Sequence, residues 1–246
     1  MTKTKDRIKD ATGQAIWSAF IGKYGFEVVE REDGFVVGGT TGQYFAKFQD
    51  WSPHEKRAIK YAKGKVLDIG CGAGKHATYL QGKKFDVTAI DVSPLAIKVC
   101  KKRGIKKAKV LAIEDVIGLK TRFDTVLLLG NNWGVMQNFK KAKKVLADLF
   151  EITDDDAIII AESSDPTKQH EREQIIYQKQ NVRKGRMPGQ RRIRIRYRGF
   201  CGDWFDYLGV SKKEMEKILE NTGWEVKRYL DSERSSFIAV IGKMNS

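Results

Sequence analysis

An apolar run, Val66-Leu67-Asp68-Ile69, leads directly into Gly70-Cys71-Gly72-Ala73-Gly74, and a helical pattern follows from Ala73 to Leu80. A strand that turns on three glycines into a helix restricts the chain to very few folds. Glycine is required where the backbone bends sharply and lies close against a ligand. The helix N-terminus behind the turn offers free amides, and in an open α/β sheet a ligand lies beyond the carboxyl ends of the strands. The spacing argues against a dinucleotide: the third small residue of that fingerprint falls at Lys75, whereas the third glycine here is Gly74. Asp68, two places before the first glycine, is poorly suited to phosphate and suits a cation such as an amino-acid ammonium.

The rest of the chain repeats the alternation. Strands are expected at Phe85–Ile90, Val110–Ile113, Asp124–Leu129 and Ala157–Ala161, with helices opening at Ser93-Pro94 and spanning Phe139–Phe150. Such apolar strands between helices indicate a parallel sheet covered on both faces, a doubly wound α/β fold. A capping box, Ser211-Lys212-Lys213-Glu214, starts a helix that ends at Gly223. Trp224–Leu230 and Ser236–Gly242 then read as an antiparallel C-terminal hairpin.

Residues 1–52 read as an N-terminal α/β cap. Ile8, Ala11, Ala15, Ile16, Ala19 and Phe20 have helical spacing, and Asp33-Gly34 turns a hairpin between 26–32 and 35–37. Gly38, Gly39 and Gly42 imply a flexible aromatic segment carrying Tyr44, Phe45 and Trp51. Ser52-Pro53-His54-Glu55 has the form of a capping box whose helix runs to about Ala62. The second unit is 53–246, in which 163–210 is an insertion after the fifth strand; residues 163–190 read as polar and irregular.

With 246 residues the chain can bury a sizeable core without disulfides or a structural metal. Cys71, Cys100 and Cys201 match no zinc spacing, and scattered thiols suit a reducing compartment. No signal peptide or membrane span is visible, so a soluble cytoplasmic protein is expected. A net charge of +15 suits either a nucleic-acid surface or heat adaptation.

Further carboxylates fall at strand tips. Asp91, followed by Val92, ends the second strand, where a carboxylate can accept from both ribose hydroxyls. Glu114-Asp115 follows the third strand, where a carboxylate can accept from an adenine amino group. Leu129-Gly130-Asn131-Asn132-Trp133 follows the fourth.

The run from Val66 to about Ile160 resembles the class I, seven-stranded, Rossmann-like S-adenosylmethionine-dependent methyltransferases, and Val-Leu-Asp-Ile-Gly-Cys-Gly-Ala-Gly is close to an ideal form of their first motif. The resemblance implies a mostly parallel seven-stranded sheet and S-adenosyl-L-methionine as cofactor, with S-adenosyl-L-homocysteine as product. It places Gly70, Cys71, Gly72 and Gly74 against the methionine part, assisted by Asp68. Asp91 would hold the ribose, Asp115 would contact the adenine, and Gly130 and Asn131 would lie beside the methyl end. No chemistry is assigned to the Cys71 thiol.

Methyl transfer from a sulfonium is an in-line displacement in which proximity supplies much of the rate, so no obligatory catalytic side chain is expected. The acceptor side nominates Asn132, Trp133, Glu162, Ser163 and Asp165, with Tyr44 and Trp51 from the cap; His54, His76 and His170 are candidate bases. The aromatics also suit core or lid packing, and Glu162 and Asp165 also suit strand termination. From Lys179 to Arg198 the chain has nine basic residues and no acidic one. That segment reads as a phosphate-binding surface or as a charged edge strand that resists aggregation, with the edge strand favoured. A small-molecule acceptor is favoured; RNA methylation and a binding-only protein are the alternatives. No metal site is expected, and the oligomeric state is not readable.

Overall fold

The fold begins with a capped helix and a hairpin. A computed structural model describes residues 9–244. Helix α1 (Ala11–Phe20) is N-capped by Asp10, whose carboxylate accepts from the Gly13 amide at 2.9 Å. Ile8, expected in this helix, lies outside the described residues. Strands β1 (Phe26–Arg31) and β2 (Val36–Thr40) form the antiparallel hairpin, turned at Gly34. Gly38 and Gly39, expected in a flexible stretch, are strand residues of β2. A Cβ on Gly38 would lie 2.3 Å from the Phe26 ring, so the bare backbone makes room for that aromatic.

Helix α2 (Pro53–Ala58) passes into a tighter turn at Ile59–Tyr61, ending earlier than the sequence suggests. Its expected capping box does not form: Ser52 makes no capping bond, and Glu55 is drawn to His76 and Lys75. Next come β3 (Lys65–Ile69), α3 (Lys75–Gly82), β4 (Asp86–Asp91), α4 (Pro94–Lys102) and β5 (Lys107–Val110). β5 lies three residues earlier than expected because Ile113 is a buried member of the turn Ile113–Leu119. β6 (Phe123–Leu128), α5 (Phe139–Glu151) and β7 (Thr153–Ser164) complete the parallel part.

The segment expected to be irregular contains α6 (Arg172–Arg183). Beyond it lie β8 (Gln190–Tyr197), β9 (Phe200–Cys201) and β10 (Phe205–Leu208). Helix α7 (Lys212–Leu219) starts with a complete Ser211–Glu214 capping box, and β11 (Trp224–Asp231) and β12 (Ser236–Lys243) close the chain.

The main sheet has the order β11-β12-β7-β6-β3-β4-β5. β3 to β7 are mutually parallel, and β12 runs antiparallel to both β7 and β11. Alternation along the strands splits the core into two layers. Leu67, Ile69, Val126 and Leu128 meet Val145 and Leu149 on one face, while Val66, Leu127 and Ile160 meet Leu80 and Ile97 on the other. The chain reverses direction across the sheet between β3 and β6, and at such a switch the strand ends open a crevice.

A second, antiparallel sheet has the order β10-β8-β1-β2, with β9 on β8. The N-terminal hairpin and the insertion thus form one sheet together. β8 pairs with β1 on one side and β10 on the other, so the expectation of a charged edge strand is corrected: this basic strand is interior. No helix among the described residues is long and apolar enough to cross a membrane.

Candidate cofactor and acceptor site

The glycine turn is held from both sides. The amides of Gly70 and Cys71 donate to Ile90 O at 2.9 and 3.1 Å, Gly72 N to Asp91 Oδ2 at 2.9 Å, and Gly74 N to Cys71 O at 2.7 Å. The free amides expected at this turn are therefore largely engaged within the protein, which leaves little here to cradle a pyrophosphate. Gly70, Gly72 and Gly74 all have positive φ, and a Cβ on Gly70 would meet the Asn132 amide at 2.6 Å. Asn132 Nδ2 donates to Ile69 O and Gly70 O at 3.0 and 2.8 Å and so pins the turn to the end of β6.

Asp68 is 2% exposed and accepts from the Ala77 amide of α3 through one oxygen at 3.2 Å. Burial pushes its carboxyl up, with His76 and Lys75 opposing. Asp91 accepts from Gly72 N and Ser93 N, one amide per oxygen. Burial pushes its pKa to about 6, assisted by the nearby Asp10 and Asp68 carboxylates. Val92 beside it is 69% exposed. Glu114 accepts from Gln137 at 2.7 Å, whereas Asp115 is exposed and its carboxylate has no partner among the described residues. Gly130 and Asn131 both have positive φ, and Asn131 Oδ1 is buried with no hydrogen-bond donor among the described residues. Cys71 Sγ lies 3.7 Å from Cys100 Sγ; that contact and burial hold its thiol well above the ordinary range.

The acceptor-side candidates divide. Tyr44 reaches from the cap to the glycine turn, its ring 2.7 Å from where a Gly72 Cβ would lie, and its hydroxyl donates to Glu27 at 2.9 Å. Asn132 is also at the turn. Trp133, however, is 0% exposed and packs inside the core. Trp51 sits behind the turn, T-shaped against His76 at 5.0 Å, and donates to Ala46 O. Glu162 Oε2 accepts from Gly130 N and Asn131 N at 2.8 and 3.2 Å, and Oε1 lies 3.4 Å from His54. Burial raises the Glu162 carboxyl, but His54 and the Gly130 amide outweigh it and hold it below the usual range. Asp165 caps the turn Pro166–Lys168 through Thr167, and the Ser163 hydroxyl is engaged with Val210. His76 pairs with Glu55 at 2.6 Å, and His170 is exposed.

Three residues of this neighbourhood have no signal in the linear motifs. Asp10 accepts from Ser93 Oγ and from Leu95 N beside Asp91. Glu27 is buried, and its Oε2 has no hydrogen-bond partner among the described residues. Tyr207 donates from its hydroxyl to Asn131 O at 2.6 Å, and Gly134 lacks a Cβ where the Tyr207 ring passes. Only the alternation of Phe205-Asp206-Tyr207-Leu208 marks that strand.

The model of the family described as "Methyltransferase domain" matches residues 60–223. The chain belongs to the class I S-adenosylmethionine-dependent methyltransferases. This methyltransferase is similar over 97% of its length to an S-adenosylmethionine-dependent methyltransferase from Bacteroides fragilis, solved in complex with S-adenosyl-L-homocysteine. The two share 25% identity with a TM-score of 0.83, and 96% of that chain is covered. A Burkholderia thailandensis 1,6-didemethyltoxoflavin-N1-methyltransferase shares the fold at 14% identity and a TM-score of 0.53, covering 80% of this chain and 81% of its own. YqeM of Bacillus subtilis (strain 168), provisionally named a methyltransferase, is 25% identical over 112 residues. That match covers 41% of this chain, which spans less than half (45%) of the length of that curated relative. S-adenosylmethionine is the cofactor of this family, and the buried, donor-free Asn131 Oδ1 and the spare lone pairs of Asp91 fit a ligand rich in N–H and O–H donors.

Proposed function

We propose that this methyltransferase passes the methyl group of S-adenosylmethionine in line to a small-molecule acceptor seated between the second sheet and the carboxyl ends of β6 and β7. The observation that carries this reading is the roof over the strand ends. Tyr44 from the N-terminal segment stands on Gly72, and Tyr207 from the insertion is bonded to Asn131 O. A roof anchored at two such points excludes water and confines an acceptor, which is what displacement at a sulfonium requires of the protein.

In this reading Asp91 accepts from the ribose hydroxyls, Asp115 from the adenine amino group, and Asp68 and the glycine turn face the amino-acid tail. The cofactor, when bound, supplies the electrophilic methyl group. Glu162, through the Gly130 and Asn131 amides, fixes the loop beside it. The toxoflavin enzyme, which shares the fold, was solved with a small molecule bound and supports an acceptor of that size.

The RNA alternative draws on the basic segment, but three of the four arginines of its strand are already paired with carboxylates. Arg194 and Arg196 pair with Glu30 at 2.8 and 2.9 Å, and Arg192 pairs with Asp206 at 3.2 Å. Calorimetry with S-adenosylhomocysteine, followed by a screen for methyl transfer to small-molecule acceptors, tests the proposal. Binding and turnover on a small acceptor are expected. Retention of RNA at low salt that weakens steeply as salt is added would replace this acceptor with RNA.

A further inference from the structure

Of the four arginines of β8, three have carboxylate partners and one has none. The Arg191 side chain makes no hydrogen bond or ion pair with any described residue. Its position is unlike theirs. Alternation puts Arg192, Arg194 and Arg196 on one face of the strand and Arg191 on the other, with Ile193, Ile195 and Tyr197. That face is apolar: Tyr197 and Ile195 pack on Ala11 and Ala15 of α1. A lone guanidinium at the head of an apolar face is only partly exposed. Burial pushes its pKa down, Tyr207 opposes, and the neighbouring Arg31 adds to the lowering. Asp33 is already bound to Arg31 at 2.8 Å, so that carboxylate is spent on the neighbouring arginine.

The surroundings of Arg191 locate it relative to the site. In the β8–β10 register Arg191 is paired with Tyr207, so their side chains stand side by side. Tyr207 reaches Asn131 O at the end of β6. A guanidinium nitrogen of Arg191 lies 3.3 Å from where a Gly209 Cβ would be, and the same point lies 2.8 Å from Ser164 O, at the end of β7. The guanidinium therefore stands near the carboxyl end of β7, and Tyr207 beside it links to the end of β6. A half-buried cation with no carboxylate partner carries part of the cost of burying a charge, and a bound anion removes it. A guanidinium presents a planar fork of donors that matches a carboxylate or a phosphate.

We propose that the methyl acceptor is an anionic small molecule, carrying a carboxylate or phosphate that Arg191 grips while Tyr207 bridges to the transfer site. This rests on the small-molecule reading above and names the acceptor's class. Arg191 acts here as a specificity residue and takes no part in the displacement.

The test uses the full chain saturated with S-adenosylhomocysteine, titrated with benzoate, phenyl phosphate and the neutral control benzyl alcohol. Benzoate or phenyl phosphate should bind and benzyl alcohol should not, and preference between the two anions identifies the acceptor's anionic group. Arg191→Gln is expected to weaken the preferred anion at least tenfold with S-adenosylhomocysteine affinity kept within twofold, while Arg194→Gln changes neither. Arg191→Lys keeps the charge and should recover part of the binding, which preserves the test if the glutamine variant folds poorly. Equal anion affinity in wild type and Arg191→Gln overturns the proposal, as does binding of benzyl alcohol as tight as benzoate. Displacement of phenyl phosphate from Arg191 by a single-stranded RNA overturns it in favour of a polynucleotide. Failure of wild type to take up S-adenosylhomocysteine would sink the methyl-transfer reading itself, a separate outcome read in the same titration.

Discussion

At Asp91 two backbone amides each take one lone pair from a different oxygen, which leaves both oxygens able to accept again. Burial holds this carboxyl at about 6, above its unfolded value. The native state thus binds the proton more tightly than the unfolded chain, and this group's contribution to stability falls as pH rises from about 4 to about 6. In the proposed binding mode the cofactor has the opposite dependence, since only the ionised form of Asp91 accepts from two ribose hydroxyls. Affinity for S-adenosylhomocysteine is expected to drop as pH falls below about 6, up to roughly tenfold per pH unit, and calorimetry at several pH values checks it. Asp91→Asn should flatten that dependence and lower affinity by about 1.5–3 kcal/mol, the range for hydrogen bonds to a charged group. Gly72→Ala places a Cβ 2.7 Å from the Tyr44 ring at φ +54°. It should destabilise the protein by about 1–3 kcal/mol in chemical denaturation. Asp68, Asp91 and the glycines are legible in sequence because two consecutive strand–turn–helix units set their geometry locally. Tyr207 and Arg191 are not, because their placement depends on pairing between distant strands.

Two capping boxes that look alike in sequence behave differently as elements. Around Ser211 both reciprocal bonds form, with Glu214 accepting from the Ser211 amide at 2.8 Å. Around Ser52 neither forms, because burial beside His76 and Lys75 offers Glu55 stronger partners. Burial raises the Glu55 carboxyl, but His76 and Lys75 outweigh it and hold it at about 2. Ser211→Ala should therefore cost about 1 kcal/mol, a Tm lower by roughly 2–4 °C. Ser52→Ala should stay within about 0.5 kcal/mol, the usual range for a surface change. The same contrast explains what else could be read. Strands β3, β4, β6 and β7 and the closing hairpin announce themselves by apolar runs. Helix α6 does not, having few buried side chains, Tyr177 and Asn181 among them.

Across the whole molecule, a seven-stranded sheet buried on both faces carries a smaller antiparallel sheet whose outer strand β2 is exposed along its length. Amide hydrogen exchange should find β2 opening at a much lower free energy than β3, β6 and β7, since few buried contacts hold it. The smaller sheet also joins β1 to β8 through pairs such as Arg31 with Ile193, which lie about 160 residues apart. At a synthesis rate of about 5–20 residues per second, the first hairpin waits roughly 10–30 seconds on the ribosome for its partner. During that interval the β1 edge, which finally pairs with β8, has free backbone donors and acceptors. For that period the nascent chain carries an unpaired strand edge, and holdase-type chaperones would find a target there.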